Sequence, residues 1–332
     1  MKLAQLQEVL RKKKINGCLL YANDPNFRYY LQDYLMSGAM FIPAKGKPTV
    51  FIHRLEELEH DFNVVRIESK FTIRDALRKT KVLGYNPSQV SAQTYSRLRH
   101  SYRLRDIGQD LEQLRMVKKP KEIEYLEKGV HIAQQILRNM VKNFDFKTEG
   151  EAKRFIKTEM ARYGVEQAFE PIVASGKGAA VPHYFGDARL RNGFMIVDIG
   201  VKWKGYCSDI TRTFYIGTPS SKDEKLYEKV LEVQKYCVKS AKTGASCGDL
   251  FDYAQSKLGE EFCHGLGHGI GLEIHELPNL KPGNQEKLQS NMVVTVEPGW
   301  YKGKTGIRIE DDVLVKKKPV LMTRMNKELV CF

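Results

Sequence analysis

The sequence has no apolar run near the roughly 18–20 residues that a membrane span needs. It also lacks low-complexity tracts. Apolar residues make up 42% and charged residues 28% of the chain, which excludes a collagenous or disordered polypeptide. Cysteine is scarce: there are six, and no two stand in CxxC spacing. Neither a disulfide framework nor a zinc knuckle is expected, and the thiols read as reduced. The zinc-hydrolase signature HExxH is missing. Basic residues exceed acidic ones, 54 to 40, for a net charge of +14, but no Lys/Arg run is longer than Arg11 to Lys14. The excess favours acidic partners only weakly, and nucleic-acid binding is not expected. A secretory leader is not expected either. In MKLAQLQEVLRKKK most basic residues follow the apolar Leu3, Leu6, Val9 and Leu10 rather than precede them, so a surface helix and a cytoplasmic protein are expected.

At 332 residues the chain is long enough for two domains. The first third alternates helical and strand-like patterns. Ile15–Tyr21, Pro48–His53 and Lys81–Asn86 read as strands, and Leu77–Arg78 lies in an expected helix. No catalytic motif appears there. The pattern changes near residues 115–119. Pro120 suits a first helical turn, and Ile123, Leu126, Val130, Ala133, Leu137, Met140 and Val141 recur at helical spacing. Domains 1–117 and 118–332 follow. In the second, Thr148–Glu151 and Ser221–Glu224 fit capping boxes. Strand pairs are expected at Phe194–Ile199 with Tyr206–Ile216, and at Met292–Val296 with Gly306–Val315. The repeated order of helix, helix and strand pair hints at an internal duplication.

Asp198 closes the apolar run in FMIVDIG, so its carboxylate is expected to be at least half buried and to need a cation. A hairpin turning at Trp203–Lys204 would set it opposite Asp209, where like charges repel unless something positive lies between them. Glu297 and Glu310 repeat the arrangement around Gly303–Lys304, with Pro298 and Gly299 distorting the ladder. Between these pairs runs HGLGHGIGLEIHE, with His264, His268 and His275. Its glycines, each costing about 1 kcal/mol in a helix, argue for a strand-loop that approaches something closely. Carboxylates with imidazole suit divalent metal: manganese first, with iron, cobalt or zinc as alternatives. Two such ions would support metal-assisted hydrolysis.

The order Asp198, Asp209, His268, Glu297, Glu310 resembles the methionine aminopeptidase/prolidase family of metallopeptidases. The motifs VASGKGAAVPHY, VDIG, SDITRTF, HGLGHGIGLEIHE, VEPGWY and GIRIEDD carry the resemblance over about residues 120–332. It implies an α+β protein: an α/β creatinase-like N-terminal domain, then a pita-bread domain. The latter is a curved, mainly antiparallel sheet with helices on its outer face and a pseudo-two-fold. It also implies roles. Asp198 chelates one ion, Asp209 and Glu310 bridge both, and His268 and Glu297 complete the other site. Glu297 exchanges a proton with water, His183 and His275 flank the scissile carbonyl, and His264, Tyr301 and Arg308 shape the substrate pocket or orient ligands.

An N-terminal domain argues against a methionine aminopeptidase, and intact ligands argue against a creatinase or a non-catalytic pita-bread binding module. The resemblance thus implies a hydrolase cutting before proline, acting on short proline-containing peptides. Many prolidases carry an Arg beside or shortly after the histidine motif to hold the substrate carboxylate. Gly265 and Asn279 stand at the matching positions here. This tilts the reading toward an aminopeptidase of the P type, with an Xaa-Pro dipeptidase as the alternative. A homodimer is expected, with Asp24–Gly38, rich in aromatics, as a candidate wall of the site.

Overall fold

The structure is a computed structural model that describes residues 2–67 and 72–332. The chain divides into two compact units, Met1–Arg115 and Met116–Phe332. In the first, α1 (Lys2–Lys12) buries Leu6 and Leu10 on one face. There follow β1 (Gly17–Tyr21), α2 (Pro25–Leu31), β2 (Ala39–Pro43), β3 (Thr49–Ile52), β4 (Asn63–Arg66), α3 (Ile73–Ala76), β5 (Val82–Tyr85), α4 (Ala92–Arg99), β6 (Arg103–Asp106) and α5 (Gly108–Met116). The strands form one mixed sheet in the order β4-β3-β2-β1-β5-β6. All three expected strands form. The helix expected at Leu77–Arg78 instead ends at Ala76, because the Arg78 and Thr80 amides tighten into turns on Asp75 and Leu77. In Asp24–Gly38, Phe27, Tyr29 and Tyr30 are buried in this unit's own core, and only Tyr34 among the aromatics is open, at 65% exposure.

The second unit begins with α6 (Pro120–Lys142) and α7 (Glu149–Arg162). Their apolar faces cover β8 (Ile172–Ser175), β9 (Gly193–Ile199) and β12 (Ile210–Ile216) through a core that includes Ile136, Leu137, Ile156, Val197 and Phe214. Short strands β7 (Glu166–Gln167), β10 (Val201–Trp203) and β11 (Tyr206–Cys207) extend this half. The second half repeats the order. Helices α8 (Ser221–Ser240) and α9 (Cys247–Leu258) pack on β13 (Gly267–Gly269), β14 (Glu276–Leu280), β15 (Val293–Val296), β16 (Gly299–Lys302), β17 (Thr305–Arg308), β18 (Asp311–Leu314) and β19 (Val320–Leu321). The named strands of both halves pair antiparallel, and an isolated parallel bridge joins Tyr215 to Cys331. The Thr148–Glu151 capping box forms, whereas the second box is Ser220–Asp223, one residue earlier than expected. Ser220 lies in extended backbone and caps the Asp223 amide, so the helix starts at Ser221.

The first hairpin also departs from expectation. Lys204 and Gly205 both have positive φ, 50° and 82°, and they form the two-residue turn. Trp203 therefore pairs with Tyr206, and Asp198 lies opposite Thr211 rather than Asp209. Asp209 is two residues from Thr211, the diagonal position that an opposed pair leaves within side-chain reach. The second hairpin turns at Gly303–Lys304 as expected, with Lys302 opposite Thr305 and Gly299 opposite Arg308. The ladder is interrupted at Glu297 and Glu310, whose amides leave it: Glu297 N–H donates to Leu266 O and Glu310 N–H to Thr211 O. That last bond joins the two halves. Arg212 reinforces the seam, donating to Glu310 O at 2.6 Å and to Asp311 Oδ1 at 2.8 Å.

Candidate metal centre

Asp198, Asp209, His268, Glu297 and Glu310 converge on one cavity of about 510 Å³ in the second unit. They arrive from the ends or interruptions of strands in both halves, where a side chain can leave the ladder. Ligand-type atoms of Asp209, His268 and Glu310 all lie within 4.8 Å of one another, and all three residues are buried. His268 is held in one tautomer. Its Nδ1 lies 3.0 Å from Gly269 O, a carbonyl that can only accept, so the proton sits on Nδ1. The bare Nε2 faces Glu297 Oε1 at 3.4 Å and Asp209 Oδ2 at 3.8 Å. Burial, with His275 nearby, pulls the ring down to about 4, so it is neutral at pH 7.

Two threonines brace the carboxylates. Thr295 Oγ1 accepts from the His268 N–H and donates to Glu297 Oε1. Thr211 Oγ1 accepts from Arg308 Nε and donates to Glu310 Oε2 at 2.7 Å. Arg308 is itself committed. Nη2 donates to Asp198 Oδ2 at 2.6 Å, and Nη1 to Tyr301 Oη and Pro182 O. Tyr301 stands behind the cavity wall rather than on it, and its hydroxyl lies 3.0 Å from His264 Nε2. His183, His264, His275 and Arg308 do line the cavity. The glycines of the histidine motif permit the close approach. A Cβ on Gly267 would stand 2.0 Å from Thr295 O, and one on Gly269 2.1 Å from Leu277 O.

The charge balance calls for a cation. Burial and mutual repulsion push Asp209 and Glu310 well above the ordinary carboxylate range, and burial above all lifts Glu297 to about 7. Asp198 Oδ1 and Asp209 Oδ1 are buried without a hydrogen-bond partner among the described residues. Orphaned carboxylate oxygens in a cluster of like charges, beside a lone imidazole nitrogen, fit divalent metal. Thr211, Thr295 and Lys281, which also lines the cavity, gave no signal in sequence. Threonine in a strand is ordinary, though Thr211 and Thr295 each sit two residues from a carboxylate of the cluster.

Residues 124–317 match the metallopeptidase family M24, and residues 2–117 match the creatinase/prolidase N-terminal domain. The Xaa-Pro dipeptidase of Pyrococcus horikoshii is 32% identical over 99% of this chain and 98% of its own. A Bacillus anthracis Xaa-Pro dipeptidase superposes with a TM-score of 0.92 at 30% identity, covering 100% of this chain and 99% of that one. An X-Pro aminopeptidase from Thermotoga maritima gives 0.89 at 29%, covering 96% and 98%. Full-length similarity and the matched domains together place the chain in metallopeptidase family M24, as a proline-specific metallopeptidase with a creatinase-type N-terminal domain.

Proposed function

We propose that the chain is an Xaa-Pro dipeptidase that hydrolyses the bond before a C-terminal proline. The buried carboxylate–histidine cluster, with its two orphaned oxygens, carries the hydrolytic reading. The choice of dipeptides over longer peptides leans on curated relatives. Those at 32% identity over 94–98% of their own length are named Xaa-Pro dipeptidases. The absence of Arg at Gly265 and Asn279 favoured an aminopeptidase; these full-length relatives outweigh it.

Family membership implies a dinuclear metal site. In this proposal Asp198, Asp209, His268, Glu297 and Glu310 would hold the ions, with Asp209 and Glu310 placed to serve both. Manganese suits a donor set of four carboxylates and one imidazole. The ions, when bound, supply Lewis acidity that acidifies water and polarises a carbonyl oxygen. The chain's residues do the rest. Glu297 takes a proton from the attacking water and returns it to the prolyl nitrogen as the C–N bond breaks. His183 and His275 donate to the carbonyl oxygen as negative charge develops there. Arg308 fixes Asp198, and the apolar wall of Phe169, Ile172, Pro182 and Phe185 accepts the proline ring and sheds water. A cytoplasmic homodimer completes the proposal.

The deciding assay offers manganese-loaded enzyme Xaa-Pro and Xaa-Pro-Yaa side by side. Faster turnover of the dipeptide supports the proposal; preference for the tripeptide returns the chain to the aminopeptidase P type. Chelation abolishes activity, and His183→Ala or His275→Ala keeps metal while lowering kcat roughly 10²-fold. Full activity in a chelator-resistant, metal-free protein overturns the mechanism, and full activity in a strict monomer removes the dimer.

A further inference from the structure

A dipeptide presents a carboxylate two bonds beyond the scissile nitrogen. Buried among like-charged ligands, that group needs its own cation. The basic side chains on the cavity wall can be taken in turn. Arg308 spends four of its five N–H donors on Asp198, Tyr301, Pro182 and Thr211. His264 has both ring nitrogens engaged, by Gly265 O and the Tyr301 hydroxyl. His268 turns its free nitrogen toward the carboxylate cluster. His183 and His275 are already assigned to the carbonyl oxygen of the scissile bond, and His275 is pulled below its ordinary range by burial and by His183. Lys281 remains: it lines the cavity, is exposed, and makes no side-chain hydrogen bond or ion pair with any described residue.

Its placement fits the distance. On the β13–β14 ladder His268 lies directly opposite Asn279. Lys281 follows two residues on, about 7 Å along the strand direction. Its flexible four-carbon stem spans the gap between that row and a carboxylate just past the scissile bond. Asn279 also lines the cavity, and its side-chain amide has no partner among the described residues, so it can donate to the same group. The nearby acid on this wall, Glu170, is already paired with Lys157 at 2.6 Å.

We propose that Lys281, assisted by the Asn279 amide, binds the C-terminal carboxylate of the substrate and thereby sets the preference for dipeptides; this rests on the Xaa-Pro dipeptidase reading. An ammonium is a point charge, so it needs no fixed fork geometry. A longer peptide puts a neutral amide there and leaves the ammonium without an anion.

The test uses full-length, manganese-loaded enzyme with Ala-Pro and Ala-Pro amide, which differ in that one charge. In Lys281→Gln, KM for Ala-Pro rises about tenfold or more while kcat holds, the loss expected for a hydrogen bond to a charged group. The amide is cleaved within about twofold of wild type. Lys281→Arg keeps the preference for acid over amide, and Lys281→Glu reverses it. Added salt raises KM for Ala-Pro in wild type more than in Lys281→Gln. A wild type that prefers Ala-Pro, with the same acid-to-amide ratio in Lys281→Gln, overturns the Lys281 assignment and leaves the dipeptidase reading standing. A wild type that prefers the amide overturns the dipeptidase reading itself. An equal loss on both substrates also overturns the assignment, since it marks a structural role.

Discussion

Lys118 Nζ lies 3.1 Å from Glu276 Oε2, and both side chains are almost wholly enclosed. Glu276 follows His275 in the chain, and its other oxygen accepts the Glu273 N–H, so the pair pins the loop that carries His275. Removing one partner strands a buried charge. Lys118→Met is expected to cost about 3–5 kcal/mol in urea unfolding, whereas Lys118→Met with Glu276→Leu costs much less. Equal losses in the single and double variants would show that the pair is not the anchor.

Glu310→Gln is expected to act with opposite signs on the two metal states. Without metal it relieves repulsion among Glu310, Glu297 and Asp198, while the Thr211 hydroxyl keeps an acceptor. The chelated variant melts about 2–4 °C higher than chelated wild type for each kcal/mol relieved. With manganese it melts lower and carries less metal by elemental analysis. Asp209→Ala loses more metal than His183→Ala. A Glu310→Gln variant with full metal content contradicts the bridging role.

Gly267→Ala tests the close approach of β13 to β15. Its Cβ would meet Thr295 O at 2.0 Å, so His268 and the Thr295 brace must shift together. A loss of about 1–3 kcal/mol is expected, with metal affinity lost as well. Gly265→Ala, whose nearest neighbour would be at 3.4 Å, serves as the tolerant control. Metal content and thermal melts of the two variants decide the matter.

His264 gives acid sensitivity. Burial, and after it Arg308, lowers its ring to about 4, against an ordinary value near 6.5. The unfolded chain therefore binds the proton more readily, and this contribution is complete above about pH 6.5 and is lost as pH falls toward 4. Allowing for partial exposure, it amounts to on the order of 2 kcal/mol. His264→Gln flattens the stability profile between pH 6.5 and 4 in chelated protein; an unchanged slope places the sensitivity elsewhere.

The chemistry of the centre was legible because Asp198 ends the apolar run in FMIVDIG and Asp209, Glu297 and Glu310 recur with it at hairpin spacing around a glycine-rich histidine motif. The glycines around His268 likewise announced a strand pressed against its neighbours. The register of the first hairpin was hidden. Lys204 adopts a positive φ beside Gly205, and a lysine gives no hint of that. The second turn begins at Gly303, with φ 65°, and was read correctly. Helix starts slipped by one residue where Ser220 and Ser221 stand side by side, since either hydroxyl could cap. Thr211 and Thr295 stayed invisible because their work depends on partners brought close only by the fold. The substrate end was least legible. An exposed Lys281 resembles any surface lysine until the cavity beside it is known.

The seam through the centre also has a kinetic consequence. The Thr211–Glu310 bond spans 99 residues, and the Arg212–Asp311 ion pair crosses at the same place. Contacts so far apart in sequence must wait for the loop between them to close, which makes them slow to form. The apolar clusters are largely divided between the halves, although Phe194 and Tyr215 of the first half join the second half's cluster and Phe332 packs on the first half's. The crowding of like charges grows when the halves meet, since Glu310 then faces Asp198 as well as Glu297, and Asp209 faces Glu310 as well as Asp198. A divalent cation offsets that repulsion, so metal binding and the joining of the two halves reinforce each other.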